Sequence, residues 1–228
     1  MHHVASWSKI RPMVLTSFAL AAVAALPASA QESHLSFEES CKALIGQVVP
    51  GGAVASAQFV AQGGTAPDHC KLNGKLNERM GIEGKKYAIG FELRLPKTWN
   101  QRFYFQGGGG TDGVLRPAMG AIPSGFIAPN ALSNGFAVVA TDAGHLNEPG
   151  VQGGYLFGVD PQARADYGYN HLPVVSAAAK ALIEKMYGAK PKHSYFVGCS
   201  NGGRQGMMAT QRFPDLFDGV IADRKSVV

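Results

Sequence analysis

The segment GCSNG at 198–202 combines a hydroxyl group with flanking glycines at a fixed spacing. A serine hydroxyl is a weak nucleophile at neutral pH, so a catalytic serine has to be exposed and held against a base. A sharp turn between a strand and a helix presents a serine in this way, and glycines two positions before and after it allow the turn to close. The spacing therefore predicts that Ser200 is a nucleophile, with a chance match in a loop as the alternative.

Two stretches of backbone could stabilise the oxyanion that a serine creates when it attacks a carbonyl. The first amides of a helix have no intrahelical acceptor, so the amide of Asn201 is a candidate donor. Four consecutive glycines at 107–110 follow a predicted strand, and Gly107 or its neighbour Gly108 is the candidate second donor. The alternatives are a flexible turn or a phosphate cradle. A P-loop is disfavoured because Thr111-Asp112 stands where its lysine is needed.

The catalytic base is harder to find. No histidine follows Ser200 in the sequence, although hydrolases with this kind of elbow order their triad as serine, acid, histidine. His193 begins the strand that leads to Ser200, which places it on the order of 20 Å from the hydroxyl. His171 precedes a helix and is predicted to be a surface or capping residue. His145 is predicted to hold the loop after Asp142, with the role of base as its alternative.

Alternating strands and helices are predicted to position these residues. Before the elbow, the sequence shows one segment in which apolar and polar residues alternate, two short apolar segments, and one continuous apolar run. The continuous run is typical of a strand that is buried on both faces. The predicted strands are 87–95, 102–106, 136–140, 193–197 and 217–222, and the predicted helices are 175–186 and 204–213. This order predicts an α/β sheet with helices on its faces and ligands at the carboxyl ends of its strands. Residues 31–80 show no sustained period and are predicted to form an irregular N-terminal cap.

Two further groups are assigned to structure rather than to chemistry. Phe103, Tyr104 and Phe105 lie within a predicted strand, so they are predicted to belong to the core and not to a substrate platform. Arg204 could steer an acidic substrate, but a solvated face of the helix after the elbow is the more ordinary position for it.

The first thirty residues have the pattern of an export signal. Lys9 and Arg11 precede the apolar run MVLTSFALAAVAAL, and the triplet ASA at 28–30 supplies the small residues that a signal peptidase recognises. The sequence therefore predicts a signal peptide at 1–30, a mature start at Gln31 and a secreted or periplasmic protein. An uncleaved membrane anchor is the alternative, and the short apolar run disfavours it.

Composition bounds the remaining possibilities. With 228 residues, 46% of them hydrophobic and 16% charged, the chain is long enough for one globular domain or most of one. The formal net charge of +5 includes two residues of the predicted signal peptide, and no run rich in lysine and arginine favours nucleic-acid binding. In an oxidising compartment, three cysteines predict one disulfide and one unpaired thiol.

Longer motifs resemble a known family. The segment GCSNGGRQGMMATQRFPDLFDGVIA is similar to the nucleophile region of the tannase and feruloyl esterase family, and FYFQGGGGTDG, TDAGH and DPQARADYGYN resemble its upstream blocks. The resemblance covers roughly residues 41–222 and is greatest to the mono(2-hydroxyethyl) terephthalate hydrolase-like branch. It implies an α/β-hydrolase core with a mostly parallel sheet. It also implies a serine carboxylic-ester hydrolase that acts on feruloyl, galloyl or terephthaloyl esters through an acyl-enzyme.

The resemblance assigns roles to individual positions. Ser200 matches the family nucleophile, and the amides of Asn201 and of Gly107 or Gly108 match the oxyanion donors. The cysteines match as well: Cys41 and Cys70 correspond to an N-terminal disulfide. Cys199 corresponds to a cysteine that, in the family, bonds to one beside the catalytic histidine, so it is expected to be unpaired in this chain.

The family pattern continues beyond the last residues of this sequence. After Ile221-Ala222 the family carries a long segment with a lid, which often holds calcium, and with the catalytic acid and histidine. The resemblance therefore implies that residues 31–228 are the N-terminal part of the catalytic domain. Little or no turnover is expected from these residues alone, and no cofactor or metal site is expected within them. The expected partner is a small aromatic ester; a truncated, non-catalytic hydrolase or a binding module is the alternative, and a peptidase or acyltransferase is a weaker one.

Overall fold

The computed structural model describes residues 35–121, 130–147 and 154–223. The predicted signal peptide and the mature start at Gln31 lie outside these ranges. Within them, no helix is both long and apolar enough to cross a membrane.

The described residues build one mixed sheet of eight strands, in the order β1-β2-β3-β4-β6-β5-β7-β8. Strands β1 to β4 are antiparallel to one another and β4 pairs antiparallel with β6, whereas β6, β5, β7 and β8 are parallel neighbours. The strands are β1 Val48–Val49, β2 Gly52–Val60, β3 His69–Met80, β4 Lys86–Pro96, β5 Arg102–Gln106, β6 Ala137–Thr141, β7 His193–Cys199 and β8 Gly219–Asp223. All five predicted strands are present.

Helices flank the sheet. They are α1 Phe37–Lys42, α2 Pro161–Ala165, α3 His171–Tyr187 and α4 Asn201–Arg212, with 3₁₀ turns at Ile82–Gly84 and Leu156–Val159 and a π-helical turn at Asp166–Asn170. Helix α3 packs against β4 and β6, and α4 packs against β7 and β8. Gly188 ends α3 in the left-handed conformation at φ 68°, which glycine adopts without a steric cost. Both predicted helices are thereby confirmed, as is the α/β class.

The prediction of an irregular N-terminal cap at 31–80 is wrong, because β2 and β3 form a long antiparallel pair there. In β3 the inward positions are Cys70, Leu72, Gly74 and Leu76. Gly74 interrupts the apolar alternation because a Cβ at this position would lie 2.5 Å from the ring of Phe91. Strand β2 is rich in alanine and contains a register shift, so its alternation is weak as well.

The aromatic residues of β5 belong to the core, as predicted. Phe103 and Phe105 are fully buried and Tyr104 is 6% exposed. The ring of Phe105 contacts Phe196 at 5.5 Å and Phe217 at 5.8 Å between centroids. Strand β6 is buried at every position, which matches its continuous apolar sequence.

The parallel half of the sheet determines where chemistry can occur. Strand β5 lies between β6 and β7, so the carboxyl ends of all three strands meet at one edge. Three sequence features follow these ends: residues 107–113 after β5, Asp142 after β6 and Ser200 after β7. We call residues 107–113 the glycine loop.

Candidate active site

Ser200 occupies a sharp turn between β7 and α4. Its side chain is exposed, and its backbone has φ 57° and ψ −117°, a conformation that side-chain-bearing residues rarely adopt. Two backbone hydrogen bonds hold the turn: the Ser200 amide donates to the carbonyl of Asp223 at 3.0 Å, and the Arg204 amide donates to the carbonyl of Ser200 at 3.1 Å. Strain of this kind persists only where the surrounding structure fixes it, and it concentrates at functional sites.

Three glycines make the turn possible. A Cβ on Gly198 would lie 2.5 Å from the carbonyl carbon of Gly202, and one on Gly202 would lie 2.8 Å from the carbonyl oxygen of Gly108. A Cβ on Gly107 would lie 2.7 Å from the Cα of Gly198. The elbow and the glycine loop are therefore packed backbone to backbone. The predicted strand, turn and helix are present, while the role of Ser200 as nucleophile stays a prediction.

The two glycine candidates for the oxyanion site differ in their hydrogen bonds. The Gly107 amide donates to the carbonyl of Val197 at 2.8 Å and so belongs to the pairing of β5 with β7. The Gly108 amide donates to Oε1 of Gln205 at 3.0 Å. Both amides thus already donate hydrogen bonds, Gly107 within the sheet and Gly108 to a side chain, and their role as oxyanion donors stays a prediction. Asn201 opens α4, where a backbone amide lacks an intrahelical acceptor.

A buried carboxylate lies beneath the elbow. Asp112, in the glycine loop, is 6% exposed and accepts hydrogen bonds from Nδ2 of Asn201 at 2.6 Å and from Nε2 of Gln205 at 2.5 Å. Burial raises the pKa of Asp112 to about 6, against the opposing effect of these two hydrogen bonds. In the sequence, Asp112 pointed only to the absence of a P-loop lysine. Its position after four glycines was the one signal available.

Arg204 is not on a solvated helix face, so that prediction is wrong. Its Nε donates to Oδ1 of Asn201 at 2.7 Å, and its Nη1 donates to the carbonyl of Gly168 at 2.8 Å. The guanidinium also lies 4.5 Å from the ring centre of Tyr167. The hydroxyl of Tyr167 donates to the same Oδ1 of Asn201 at 3.1 Å. Arg204 therefore ties α4 to the π-helical turn.

His145 is buried behind the glycine loop. It is 4% exposed, and its ring stacks on Phe157 at 3.8 Å between centroids. Its nitrogens lie near the carbonyls of Thr111 and Ala143, but neither nitrogen makes a hydrogen bond of good geometry to a described residue. Burial lowers the pKa of His145 to about 4, so the ring is neutral at pH 7. His145 thus packs against the loop after Asp142 without being hydrogen-bonded to it.

The other two candidate histidines also lack contact with the nucleophile. His171 is fully buried, which contradicts the predicted surface position. Its Nδ1 lies 2.7 Å from the carbonyl oxygen of Asp166, and burial lowers its pKa to about 4. His193 is exposed at the start of β7, opposite the end that carries Ser200, as predicted. Among the described residues, no histidine is hydrogen-bonded to Ser200.

Asp142 is a second buried carboxylate at this edge of the sheet. Its Oδ1 accepts from the amides of Gly90 and Gly144, each at 2.9 Å, and so links the end of β6 to β4. Burial raises the pKa of Asp142 to about 7, and the nearby carboxylate of Asp112 adds to the effect. A cavity of about 450 Å³ lies beside Asp142 and His145. Ser200 is not among the described residues that line this cavity.

The cysteines pair as the resemblance implied. Cys41 and Cys70 form a disulfide that connects α1 to β3. Cys199 precedes Ser200, is partly buried and is free.

Comparison with known proteins identifies the family. Residues 70–227 match the model of the family described as tannase and feruloyl esterase. The chain belongs to this family. It is 47% identical over 171 residues to mono(2-hydroxyethyl) terephthalate hydrolase of Piscinibacter sakaiensis, a match that covers 73% of this chain and 28% of that protein. It is 32% identical to a probable feruloyl esterase of Arthroderma benhamiae, over 95% of this chain and 41% of that protein.

Solved structures agree with this family assignment. Feruloyl esterase B from Aspergillus oryzae superimposes with a TM-score of 0.64 at 28% identity, covering 82% of this chain and 37% of that one. A second Aspergillus oryzae esterase reaches a TM-score of 0.68 at 24% identity, which supports the fold alone. The predicted α/β-hydrolase fold is thereby confirmed. The family member described here spans well under half the length of each of these relatives.

Proposed function

We propose that this chain is the N-terminal part of the catalytic domain of a secreted serine carboxylic-ester hydrolase that acts on esters of aromatic acids. The observation that carries the proposal is the exposed Ser200 at φ 57°, held at a turn where only glycines fit on either side. Its position at the carboxyl edge of the parallel strands is where ligands bind in α/β sheets. The family membership supports ester hydrolysis over peptide hydrolysis or acyl transfer to another acceptor.

In the proposed reaction Ser200 attacks the ester carbonyl and its hydroxyl proton passes to a histidine. The negative charge on the carbonyl oxygen is stabilised by the amide of Asn201 at the start of α4, together with an amide of the glycine loop. Collapse of this intermediate expels the alcohol and leaves an acyl-enzyme, which water then hydrolyses. Acyl transfer of this kind needs no cofactor, and we propose none for this chain.

The catalytic acid and histidine are proposed to come from the segment that follows the elbow in the family. Two observations support this assignment. The triad of α/β-hydrolases runs in the order serine, acid, histidine, and the described histidines of this chain make no hydrogen bond to Ser200. Calcium, where family members hold it in the lid, would belong to that same segment.

The substrate class is inferred from chemistry that the relatives share. One is named as a hydrolase of a terephthalate monoester and another as a probable feruloyl esterase, and both acids are aromatic. We propose that this protein accepts an ester of the same general class. Secretion is proposed from the pattern of residues 1–30, and an N-terminus at Gln31 on the exported protein is the measurement that checks it.

The test uses the protein as its gene encodes it and compares it with the Ser200→Ala variant. Ethyl ferulate, methyl gallate and mono(2-hydroxyethyl) terephthalate serve as substrates. The variant is expected to lose about 10³-fold or more in kcat, because a triad without its nucleophile retains only the contribution of binding and the oxyanion site. Thr210→Ala, which removes an exposed hydroxyl from the same helix, is the matched control. Equal activity in Ser200→Ala and Thr210→Ala would refute the proposal, and inactivity of all forms would favour the non-catalytic alternative.

A further inference from the structure

Three side chains join the elbow helix to the glycine loop. Asp112 accepts from Asn201 and from Gln205 through different carboxylate oxygens, and Gln205 in turn accepts from the Gly108 amide. We call Asp112, Asn201 and Gln205 the elbow clamp. Asn201 and Gln205 are four positions apart on α4, so they project from the same face of that helix. The clamp thus connects the first two turns of α4 to both ends of the glycine loop.

The carboxylate determines how the two amides are oriented. An ionised carboxylate can only accept hydrogen bonds, so Gln205 must turn its Nε2 toward Asp112. Its Oε1 then faces the Gly108 amide, and Nδ2 of Asn201 is fixed in the same way. A neutral amide at position 112 could present either its donor or its acceptor, and the orientation of both partners would no longer be imposed.

The glycine loop packs closely against the carboxylate. A Cβ on Gly108 would lie 2.6 Å from Oδ1 of Asp112, so the loop backbone rests directly on the carboxylate. Asp112 itself has φ 52°, a strained value for a residue with a side chain. Burial of its charge is unfavourable too, because its direct hydrogen-bond partners are neutral amides. Arg116 and Arg204 favour the charge, but they act on it only at a distance. A strained backbone and a buried charge at the same residue both disfavour the folded state, and such unfavourable features are typical of functional sites.

We propose that Asp112 is a positioning residue: through Asn201 and Gln205 it fixes the glycine loop relative to Ser200 and so aligns the backbone amides that receive the oxyanion. This inference rests on the proposed function, because it assigns a role in the same reaction. Asp112 acts through its partners and does not touch the reacting atoms. Its removal is therefore expected to affect the transition state more than the binding of the ester.

The test exchanges the two polar groups of one hydrogen bond. In Asp112→Asn two amide donors compete for one acceptor, and in Asn201→Asp two carboxylates face each other. Each single variant is expected to lose roughly 10- to 100-fold in kcat with KM changed less than about threefold, a loss similar to that caused by removing the side chains that orient metal ligands in metalloenzymes. The double variant, Asp112→Asn with Asn201→Asp, restores one donor opposite one acceptor. It is expected to regain at least about tenfold over the weaker single variant.

Gln205→Met provides an independent measurement. Methionine keeps the length and helix propensity of glutamine but removes both of its hydrogen bonds, to Asp112 and to the Gly108 amide. The same fall in kcat at nearly constant KM is expected, together with faster hydrogen exchange at the Gly108 amide. Thermal unfolding of every variant is recorded beside the kinetics.

Each outcome separates the two proposals. If Ser200→Ala abolishes hydrolysis but folded Asp112→Asn and Gln205→Met keep the parental kcat, the positioning role is refuted and the proposed function stands. The single variants could instead lose activity only in proportion to a lower unfolding temperature, with neither kcat nor the unfolding temperature restored in the double variant. In that case the role of Asp112 is structural and the proposal fails. If Ser200→Ala retains activity, the proposed function itself has failed.

Discussion

At Ser200, backbone geometry and not side-chain chemistry distinguishes this serine from the other serines that the structure describes. The positive φ is possible because Gly198 and Gly202 leave room for each other and for the glycine loop. The sequence predicted this turn correctly, because the five-residue spacing records a steric requirement. It could not predict Asp112 as a partner, because that contact joins residues 89 positions apart and depends on how β5 and β7 are paired.

Gly202→Ala is expected to disrupt the elbow. The added Cβ would lie 2.8 Å from the carbonyl oxygen of Gly108, and backbone atoms cannot give way as a flexible side chain can. We expect a loss of about 2 kcal/mol or more in the free energy of unfolding, in the upper part of the range for overpacking. Urea denaturation measures it. Gly168→Ala is the control, since a Cβ there meets nothing within 4 Å; equal stability of the two variants would contradict the steric explanation.

Asp142 predicts a pH dependence of stability. Burial raises its pKa in the folded protein to about 7 from the ordinary value of 3.8, so the folded state binds the proton more tightly than the unfolded state does. The stabilisation linked to that proton is complete below about pH 4 and is lost as the pH rises through about 7. Asp112, with a pKa raised to about 6, acts in the same direction.

Asp142→Asn removes the buried charge but keeps an oxygen that can accept from the amides of Gly90 and Gly144. We expect the unfolding temperature of this variant, relative to the parent, to be several degrees higher at pH 8.5 than at pH 5. Thermal unfolding monitored by circular dichroism measures the difference. Asp215→Asn, on an exposed turn, serves as the control for a general effect of charge. A difference that is the same at both pH values would show that Asp142 is not protonated in the folded state.

Among the elements, the parallel strands and β4 were predictable, and the antiparallel strands β1 to β3 were not. Strands β5 to β8 carry continuous apolar runs or lead into recognisable turns. In strand β3 the inward position 74 is a glycine, and the ring of Phe91 on β4 fills the space that a side chain would occupy. This packing depends on the pairing of β3 with β4, so the sequence of β3 alone does not reveal it. The buried position of His171 was missed for a related reason: a polar residue at the start of a helix suggests a cap, and only the tertiary structure covers it.

The Cys41–Cys70 disulfide is expected to stabilise the attachment of α1 to β3. It closes a loop with a sequence separation of 29, which in the chain-entropy model corresponds to about 3.6 kcal/mol. The variant with both cysteines replaced by alanine should therefore unfold at a markedly lower urea concentration. Cys199→Ala is the matched control, because its thiol is free. A double variant as stable as this control would show that the crosslink contributes nothing beyond packing.

At the scale of the whole molecule, one edge of the sheet collects the strained serine, the clamped glycine loop and both perturbed carboxylates. The sequence predicted the strands that bring their ends to this edge, since their order along the chain and their apolar character are local properties. The hydrogen bonds that hold the edge together are contacts between distant segments. Such contacts were accessible to the sequence only through the family resemblance, which assigned the Cys41–Cys70 pair correctly.

Residues 31–228 alone are expected to hydrolyse aromatic esters far more slowly than a complete triad would. Ser200 lies exposed at its turn, yet no described histidine is hydrogen-bonded to it: His171 is fully buried against Asp166, and His145 is stacked on Phe157 with its pKa lowered to about 4. An oxyanion site without a working triad retains about 10³- to 10⁴-fold acceleration over water. Steady-state assays with ethyl ferulate, beside Ser200→Ala, measure the residual rate. Fast hydrolysis that disappears in both Ser200→Ala and His145→Ala would instead establish His145 as the base and would require the ring to leave Phe157 during the reaction.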